Sequence, residues 1–274
     1  MPRHRGKYDP LHSSPYELSR SRVENFVRCP ACFYMQQVEG IKFPDIPGFN
    51  INEATDVLLK KHFDKYRTQA SIPPFFEAQG LEHLLPFQHE NFDKWTESLH
   101  FGAEGRMHTL IDELNLKIRG GLDDVWQNIE THELHIVDYK STAQLGKESK
   151  PLDESFIAAP LDASEPDYKI GYRRQMDMYQ WIARQLGFEV SDTGYFVYVD
   201  GQHQEESGML DGENPWQAWM RFNVSVIPYE GNDSWVEEAL RRAKYLVSEV
   251  SDCPEHATNC EHGQYLANVL EVIS

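Results

Sequence analysis

Two aspartates and a lysine stand at the ends of consecutive apolar segments, GGLDDVW (residues 120–126) and HIVDYKST (residues 135–142). A symmetric hairpin turning on Glu130 and Thr131 pairs Asp123 with Asp138. Residues directly opposed in an antiparallel pair point to one face, with Cβ atoms about 4.5–5.5 Å apart, so two carboxylates meet. Lys140, two residues after Asp138, projects from the same face. Carboxylates so placed repel, and buried charge must be paired or bound to metal. Magnesium takes carboxylate oxygens, keeps several waters and is commonly completed by a substrate phosphate. The residues therefore predict an open site for Mg2+ or Mn2+. The plain alternative is a surface Asp138–Lys140 pair worth ~0–1 kcal/mol. The apolar run around Asp138, the pairing and the room left by Gly120 and Gly121 favour the metal.

The elements that must deliver these groups follow from periodicity. LNLKIRGGLDDVW alternates Leu114, Leu116, Ile118 and Leu122 with Asn115, Lys117, Arg119 and Asp123, and reads as a strand. Asp124 then faces away from Asp123 and is expected to be structural. ELHIVDYKST is almost continuously apolar, as in a strand covered on both faces. GYFVYVD and RFNVSVIPY supply two more strands. Helices are expected over SRSRVENFV, with Ser21 and Glu24 as a capping box and a break at Pro30; over NEATDVLLKKHFDKYRTQ, with Asn52 as cap; over YKIGYRRQMDMYQWIARQLGF, ending near Gly187; and from about Ser234 to Val250. Residues 71–100 have no clear period, and 143–168 form a long polar loop of a kind more often functional than idle. Residues 1–15 read as a flexible arm and 16–274 as a single α/β domain with a mixed central sheet of about five strands flanked by helices.

The chain has 274 residues, 40% of them hydrophobic and 26% charged, enough for one elaborated domain. A formal net charge of -18 excludes a surface that is basic throughout, so a nucleic-acid partner requires a local patch. Arg173, Arg174, Arg241, Arg242 and Lys244 are the candidates for it. No stretch approaches the roughly 20 apolar residues of a membrane span, and the start lacks the apolar middle of a secretory signal. No membrane association and a cytoplasmic location are expected. In a reducing compartment the four cysteines are thiols or metal ligands rather than disulfides. Cys29 and Cys32, two residues apart, could join the distant Cys253 and Cys260 in a four-thiolate site that ties the termini together. Such a set suits a [4Fe-4S] cluster or zinc, His256 and His262 add a mixed-ligand option, and buried free cysteines are the plain alternative.

These segments resemble the PD-(D/E)XK nuclease superfamily, and within it the exonuclease branch of bacterial recombination complexes and CRISPR-adaptation iron–sulfur exonucleases. GGLDDV is similar to that branch's Gly-x-Ile-Asp segment, IVDYKST to its Val-Asp-Tyr-Lys-Thr, QMDMY to its Gln-x-x-x-Tyr helix motif, and SRSRVENFVRCPACFYM to its N-terminal Ser-x-Ser…Cys-Pro…Tyr segment, in the family's order. The resemblance implies a restriction-endonuclease-like core in which Asp123, Asp138 and the carbonyl of Tyr139 ligate Mg2+ or Mn2+. Lys140 would orient the attacking water and steady the phosphate's charge. Gln175 and Tyr179, four apart on one helix face, would bond to the site or to the nucleic-acid backbone. Members often carry a metal-binding histidine on the helix before the sheet; Lys60 falls near that place, which leaves His62 as the candidate ligand and His108 as its competitor. An iron–sulfur cluster joins the termini in these exonucleases, usually with one N-terminal and three C-terminal cysteines. Here the cysteines divide two and two, and Gly263 stands where the family has another. The implied function is metal-dependent hydrolysis of DNA, as an exonuclease of repair, recombination or defence acting on single strands or duplex ends. The alternatives are a catalytically inactive nucleic-acid-binding or scaffold protein of the same fold, and an unrelated α/β protein with a surface Asp-x-Lys.

Overall fold

The computed structural model describes residues 3–44, 48–97, 106–144, 152–158, 168–203 and 208–273. The chain begins with β1 (Tyr16–Ser19), α1 (Arg20–Arg28), α2 (Pro30–Tyr34), α3 (Asn50–Gln69), α4 (Pro74–Ala78), β2 (Leu84–Pro86) and α5 (Phe92–Trp95). It continues through β3 (Met107–Ile111), β4 (Leu116–Gly120), β5 (Asp124–Asn128), β6 (Leu134–Thr142), α6 (Glu154–Ile157), α7 (Tyr168–Gln185), β7 (Thr193–Gly201), β8 (Phe222–Glu230), α8 (Val236–Glu249) and α9 (Glu261–Ile273). The larger sheet has the order β2-β5-β6-β7-β8. Only β6 and β7 run parallel, so it is the mixed five-stranded sheet expected.

Alternation along the strands divides this sheet between two cores. Val125, Ile136, Phe196 and Ile227 pack in one core with Met176, Tyr179 and Ile182 of α7. Trp126, Val137, Tyr139, Tyr195 and Val197 pack on the other face with Phe63 of α3 and Phe76 of α4. The β5–β6 hairpin has the expected register, Asp124 opposite Val137 and Gln127 opposite Leu134. Its turn is held by Asn128, whose side-chain oxygen accepts from the amides of Glu130 (2.8 Å) and Thr131 (3.1 Å). Asp124 is structural, as expected. It is fully buried, ion-paired with Arg67, and accepts from the Tyr139 hydroxyl at 2.6 Å and the Trp126 indole at 3.3 Å.

Several expectations are corrected. LNLKIRGGLDDVW is not one strand: β4 belongs to a second sheet, β1-β4-β3, and β5 to the larger one. The chain crosses between them at Gly121–Asp123, where glycines weaken a strand and allow it to bend. The helix-capping residue of α1 is Ser19 rather than Ser21, accepting from the Arg22 amide at 3.4 Å, while Glu24 pairs with Arg174 of α7. Residues 3–15, expected as a flexible arm, lie against the domain. The Glu17 amide donates to the His4 carbonyl at 2.8 Å, and the buried His4 ring stacks on His12 with centroids 4.4 Å apart. Histidine and tyrosine supply this packing, so hydropathy does not signal it. No helix among the described residues is long and apolar enough to cross a membrane.

Candidate functional site

At the end of the β5–β6 hairpin, a cleft of about 710 Å³ is lined by Asp56, Asp123, Tyr139, Lys140, Gln175 and Tyr179, among others. Asp138 lies beneath it, fully buried on β6. One of its oxygens accepts from Gln175 Nε2 at 2.7 Å. The other has no hydrogen-bond partner of regular geometry and meets the Lys140 ammonium in an ion pair. Lys140 Nζ also donates to the Tyr139 carbonyl at 3.2 Å and sits 4.7 Å from the centre of the Tyr172 ring. Asp123, half-buried where the chain leaves β4, accepts from the Tyr139 amide at 2.9 Å. Asp123, Asp138 and Lys140 therefore share one locality, and the Tyr139 carbonyl expected to ligate metal is turned toward Lys140.

The electrostatics follow from crowding. Burial pushes Asp123 well above the usual carboxylate range, Asp138 and Asp56 add to the effect, and Lys140 opposes it. Burial lowers the Lys140 amine, but Asp138 and Asp123 outweigh it and keep the group a firmly held ammonium. Gln175 links the site to α1, because its amide oxygen accepts from Arg20 at 2.8 Å, and its nitrogen is 3.4 Å from the Tyr179 hydroxyl. The Tyr179 ring lies flush on Gly120, where an added Cβ would stand 2.5 Å from Cε1. A glycine is required there for close approach rather than for its backbone angles.

The sequence reading missed Asp56. It lines the cleft from α3, and its Oδ1 is buried without a hydrogen-bond partner. Burial pushes its carboxyl up to about 6, against the pull of Lys140 and with Asp138 and Glu53 adding. The expected helix ligand, His62, is exposed, contacts the rings of Phe63 and Tyr66, and does not line the cleft. Six residues is about one and two-thirds turns, so Asp56 and His62 cannot face the same way. Lys60 pairs with Asp64 at 2.9 Å, His108 meets the Arg106 carbonyl at 2.9 Å, and neither lines the cleft. A signal for Asp56 did exist: it shares a stripe at i, i+7 and i+11 with the buried Phe63 and Arg67. Three carboxylates thus gather around one ammonium, and one Asp56 oxygen is left without a hydrogen-bond partner.

The expected basic track is not assembled. Arg174 pairs with Glu24, Arg241 with Glu113, Lys244 donates to the Tyr8 hydroxyl at 2.8 Å, and Arg242 lies over Phe26. None of these, nor Arg173, lines the cleft. Arg3, Arg5, Arg20, Arg22, Arg106 and Arg119 do.

A second cluster joins the two ends of the chain. Cys29, Cys32, His256 and Cys260 bring their ligand atoms within 4.8 Å of one another, and among the described residues the carboxylates of the cleft are not drawn together that closely. His256 Nδ1 is 3.5 Å from Cys29 Sγ, 3.6 Å from Cys32 Sγ and 3.5 Å from Cys260 Sγ, and the Cys32 and Cys260 sulfurs are 3.3 Å apart. Burial raises the Cys29 thiol, but the amides of Ala257 and Cys32 and the His256 ring outweigh it and bring the group down to about 6. Burial and the neighbouring thiols of Cys260 and Cys29 push Cys32 well up. Three sulfurs and an imidazole nitrogen gathered this closely have the ligand types and spacing to hold a metal ion. Cys253, expected as the fourth ligand, is exposed and directed at the Pro254 carbonyl (3.5 Å), so the group is three cysteines and one histidine. His262 stacks on Phe43 instead. Gly263 explains the exchange, since a Cβ there would stand 2.5 Å from His256 Cγ. Gly263→Leu should therefore displace His256 and lower metal content per chain by at least half, measured by elemental analysis, while Gly263→Ala gives a smaller loss.

Comparison with protein-family models and with curated protein sequences gives no match for this chain.

Proposed function

We propose that the protein is a divalent-metal-dependent deoxyribonuclease, an exonuclease on a restriction-endonuclease-like core of the PD-(D/E)XK type. The observation that carries this reading is the convergence of Asp123, Asp138, Lys140 and the orphaned Asp56 oxygen on one arginine-lined cleft. Asp56, Asp123 and Asp138 would hold Mg2+ or Mn2+. A cation there supplies Lewis acidity toward the scissile phosphate and lowers the pKa of bound water. Gln175 fixes the Asp138 carboxylate, and the Tyr139 amide fixes Asp123. Lys140 orients the attacking water and offsets negative charge developing on the phosphate oxygens. The test is degradation of end-labelled single-stranded and duplex DNA with Mg2+, Mn2+ or chelator. Cleavage that needs metal and is lost in Asp123→Asn supports the reading, and a metal-replete protein that leaves both substrates intact defeats it.

One observation favours a second reading, a nucleic-acid-binding or scaffold protein that keeps the fold without turnover: both Asp138 oxygens are engaged, by Gln175 and Lys140. Retained DNA binding with neither Mn2+ binding nor cleavage would select it.

Asp56→Asn separates ligand from scaffold. A carboxyl raised from 3.8 to about 6 destabilises the folded protein above its ordinary value. The difference corresponds to at most ~3 kcal/mol, less because the group is partly exposed. The sign is fixed by linkage: the folded state binds the proton more tightly, so the penalty is fully present above about pH 6 and absent below about pH 4. Metal-free Asp56→Asn should melt about 2–6 °C higher than the parent at pH 7.5, lose that advantage at pH 4, and bind Mn2+ more weakly by at least about tenfold.

For the cysteine–histidine group we propose a single zinc ion rather than a four-iron cluster. Zn–S bonds of about 2.3 Å set tetrahedral ligands roughly 3.8 Å apart, close to the 3.3–3.6 Å that separate His256 Nδ1 from the three sulfurs and Cys32 from Cys260. The thiolates of a cubane each bind a different iron and must stand farther apart.

A further inference from the structure

The end of the cleft next to α1 is strongly cationic in a protein whose formal net charge is -18. Glu17, the one carboxylate of β1, accepts from Arg3 at 2.9 Å and from Arg119 at 3.2 Å. Arg22 reaches the Glu17 backbone carbonyl at 3.2 Å rather than its carboxylate. Arg5 is exposed beside it on the cleft wall. The first turn of α1 carries Arg20 and Arg22 and no acidic residue, an arrangement opposed to the helix dipole unless an anion sits there. Burial, together with the nearby Arg5, holds the Arg22 guanidinium below its ordinary value despite Tyr16 and Glu17. Among the described residues neither Arg5 nor Arg22 forms an ion pair with a carboxylate.

We propose that Arg5 and Arg22, backed by the Glu17-bound Arg3 and Arg119, bind the terminal phosphate monoester of a nucleic-acid strand. A monoester carries nearly two negative charges and three acceptor oxygens, which match two guanidiniums, whereas a backbone diester carries one. The subsite is continuous with the carboxylates through Arg20, Gln175 and Asp138. A strand end held at the arginines therefore sets which bond lies over Asp123 and Lys140. The inference rests on the reading of the cleft as a nucleic-acid site, but it is tested without turnover.

The experiment is fluorescence anisotropy of the full chain without added Mg2+ or Mn2+ at fixed salt, with one single-stranded oligonucleotide bearing a 5′-phosphate, a 3′-phosphate or hydroxyls at both ends. One phosphorylated form should bind at least about tenfold more tightly than the hydroxyl form, with inorganic phosphate abolishing the difference. Arg5→Gln, at an exposed position where folding is not at stake, should reduce the advantage, and the double variant with Arg22→Gln should remove it. Equal binding of all three ends, or an advantage that survives in the folded double variant, overturns the proposal. An end preference without metal-dependent cleavage leaves the subsite standing and removes the nuclease reading. Cleavage and binding both indifferent to end phosphates do the reverse.

Discussion

Lys140→Met should reduce metal-dependent DNA cleavage by at least about a hundredfold while leaving Mn2+ binding intact or tighter. Methionine keeps an unbranched, flexible stem and deletes the charge, so the change isolates the ammonium. In the parent that ammonium meets the buried Asp138 carboxylate and donates to the Tyr139 carbonyl. Without it, Asp138 keeps only the Gln175 amide as donor. Breaking a buried pair by removing one partner costs about 3–5 kcal/mol in a closed interior, and less here because the Lys140 side chain is 14% exposed to the cleft. The metal-free variant should accordingly melt several degrees below the parent, and millimolar Mn2+ or Mg2+ should recover most of the loss by replacing one cation with another. The combination matters more than either part. Lost cleavage with recovered stability identifies Lys140 as a group that acts on the reaction, whereas cleavage within about threefold of the parent would remove it from the chemistry.

How much of this site was legible depends on which interaction fixes each residue. Asp123, Asp138 and Lys140 were readable because a hairpin register is a local rule: once the turn is placed, alternation assigns the faces, and the observed pairs follow it. Asp124 was readable for the same reason. The two-sheet division was not, because alternation runs unbroken through Leu114–Asp123 and only Gly120 and Gly121 mark the crossing. Asp56 was overlooked in favour of a histidine close to the family's place, although the helix stripe that buries Phe63 and Arg67 also carries Asp56. The arginine end of the cleft depends on β1 pairing in parallel with β4, a contact across about 100 residues that no local pattern announces. The long-range pairing of Cys29 and Cys32 with Cys260 was anticipated from ligand chemistry. The choice of His256 over Cys253 was not, since it turns on the space that Gly263 leaves.

Cys32→Ser should cost more stability than any single change at the cleft. Cys32 is buried between two ligands, 3.6 Å from His256 Nδ1 and 3.3 Å from Cys260 Sγ, whereas the Cys253 thiol is spent on the carbonyls of Pro254 at 3.5 Å and Ala31 at 3.9 Å. The four ligands come from the start of α2 and from the residues just before α9, more than 220 positions apart. A metal bound there closes a loop of nearly the whole chain, and binding free energy that exists only in the folded state is folding free energy. Among its exposed residues α9 has Tyr265, Leu270 and Val272, and none of its described residues is buried, so few apolar contacts hold it when the ligands are lost. A loss of about 3–5 kcal/mol, equivalent to roughly 10 °C in a chain of this size, is expected for Cys32→Ser and for the parent treated with a strong chelator. Cys253→Ser should change neither metal content nor melting temperature. Elemental analysis of the parent should give one zinc per chain and no visible absorption band. Four irons per chain with a broad band near 400 nm in protein purified without oxygen, abolished in Cys253→Ser, would mean that Cys253 turns inward and that the ligands spread to hold a cluster.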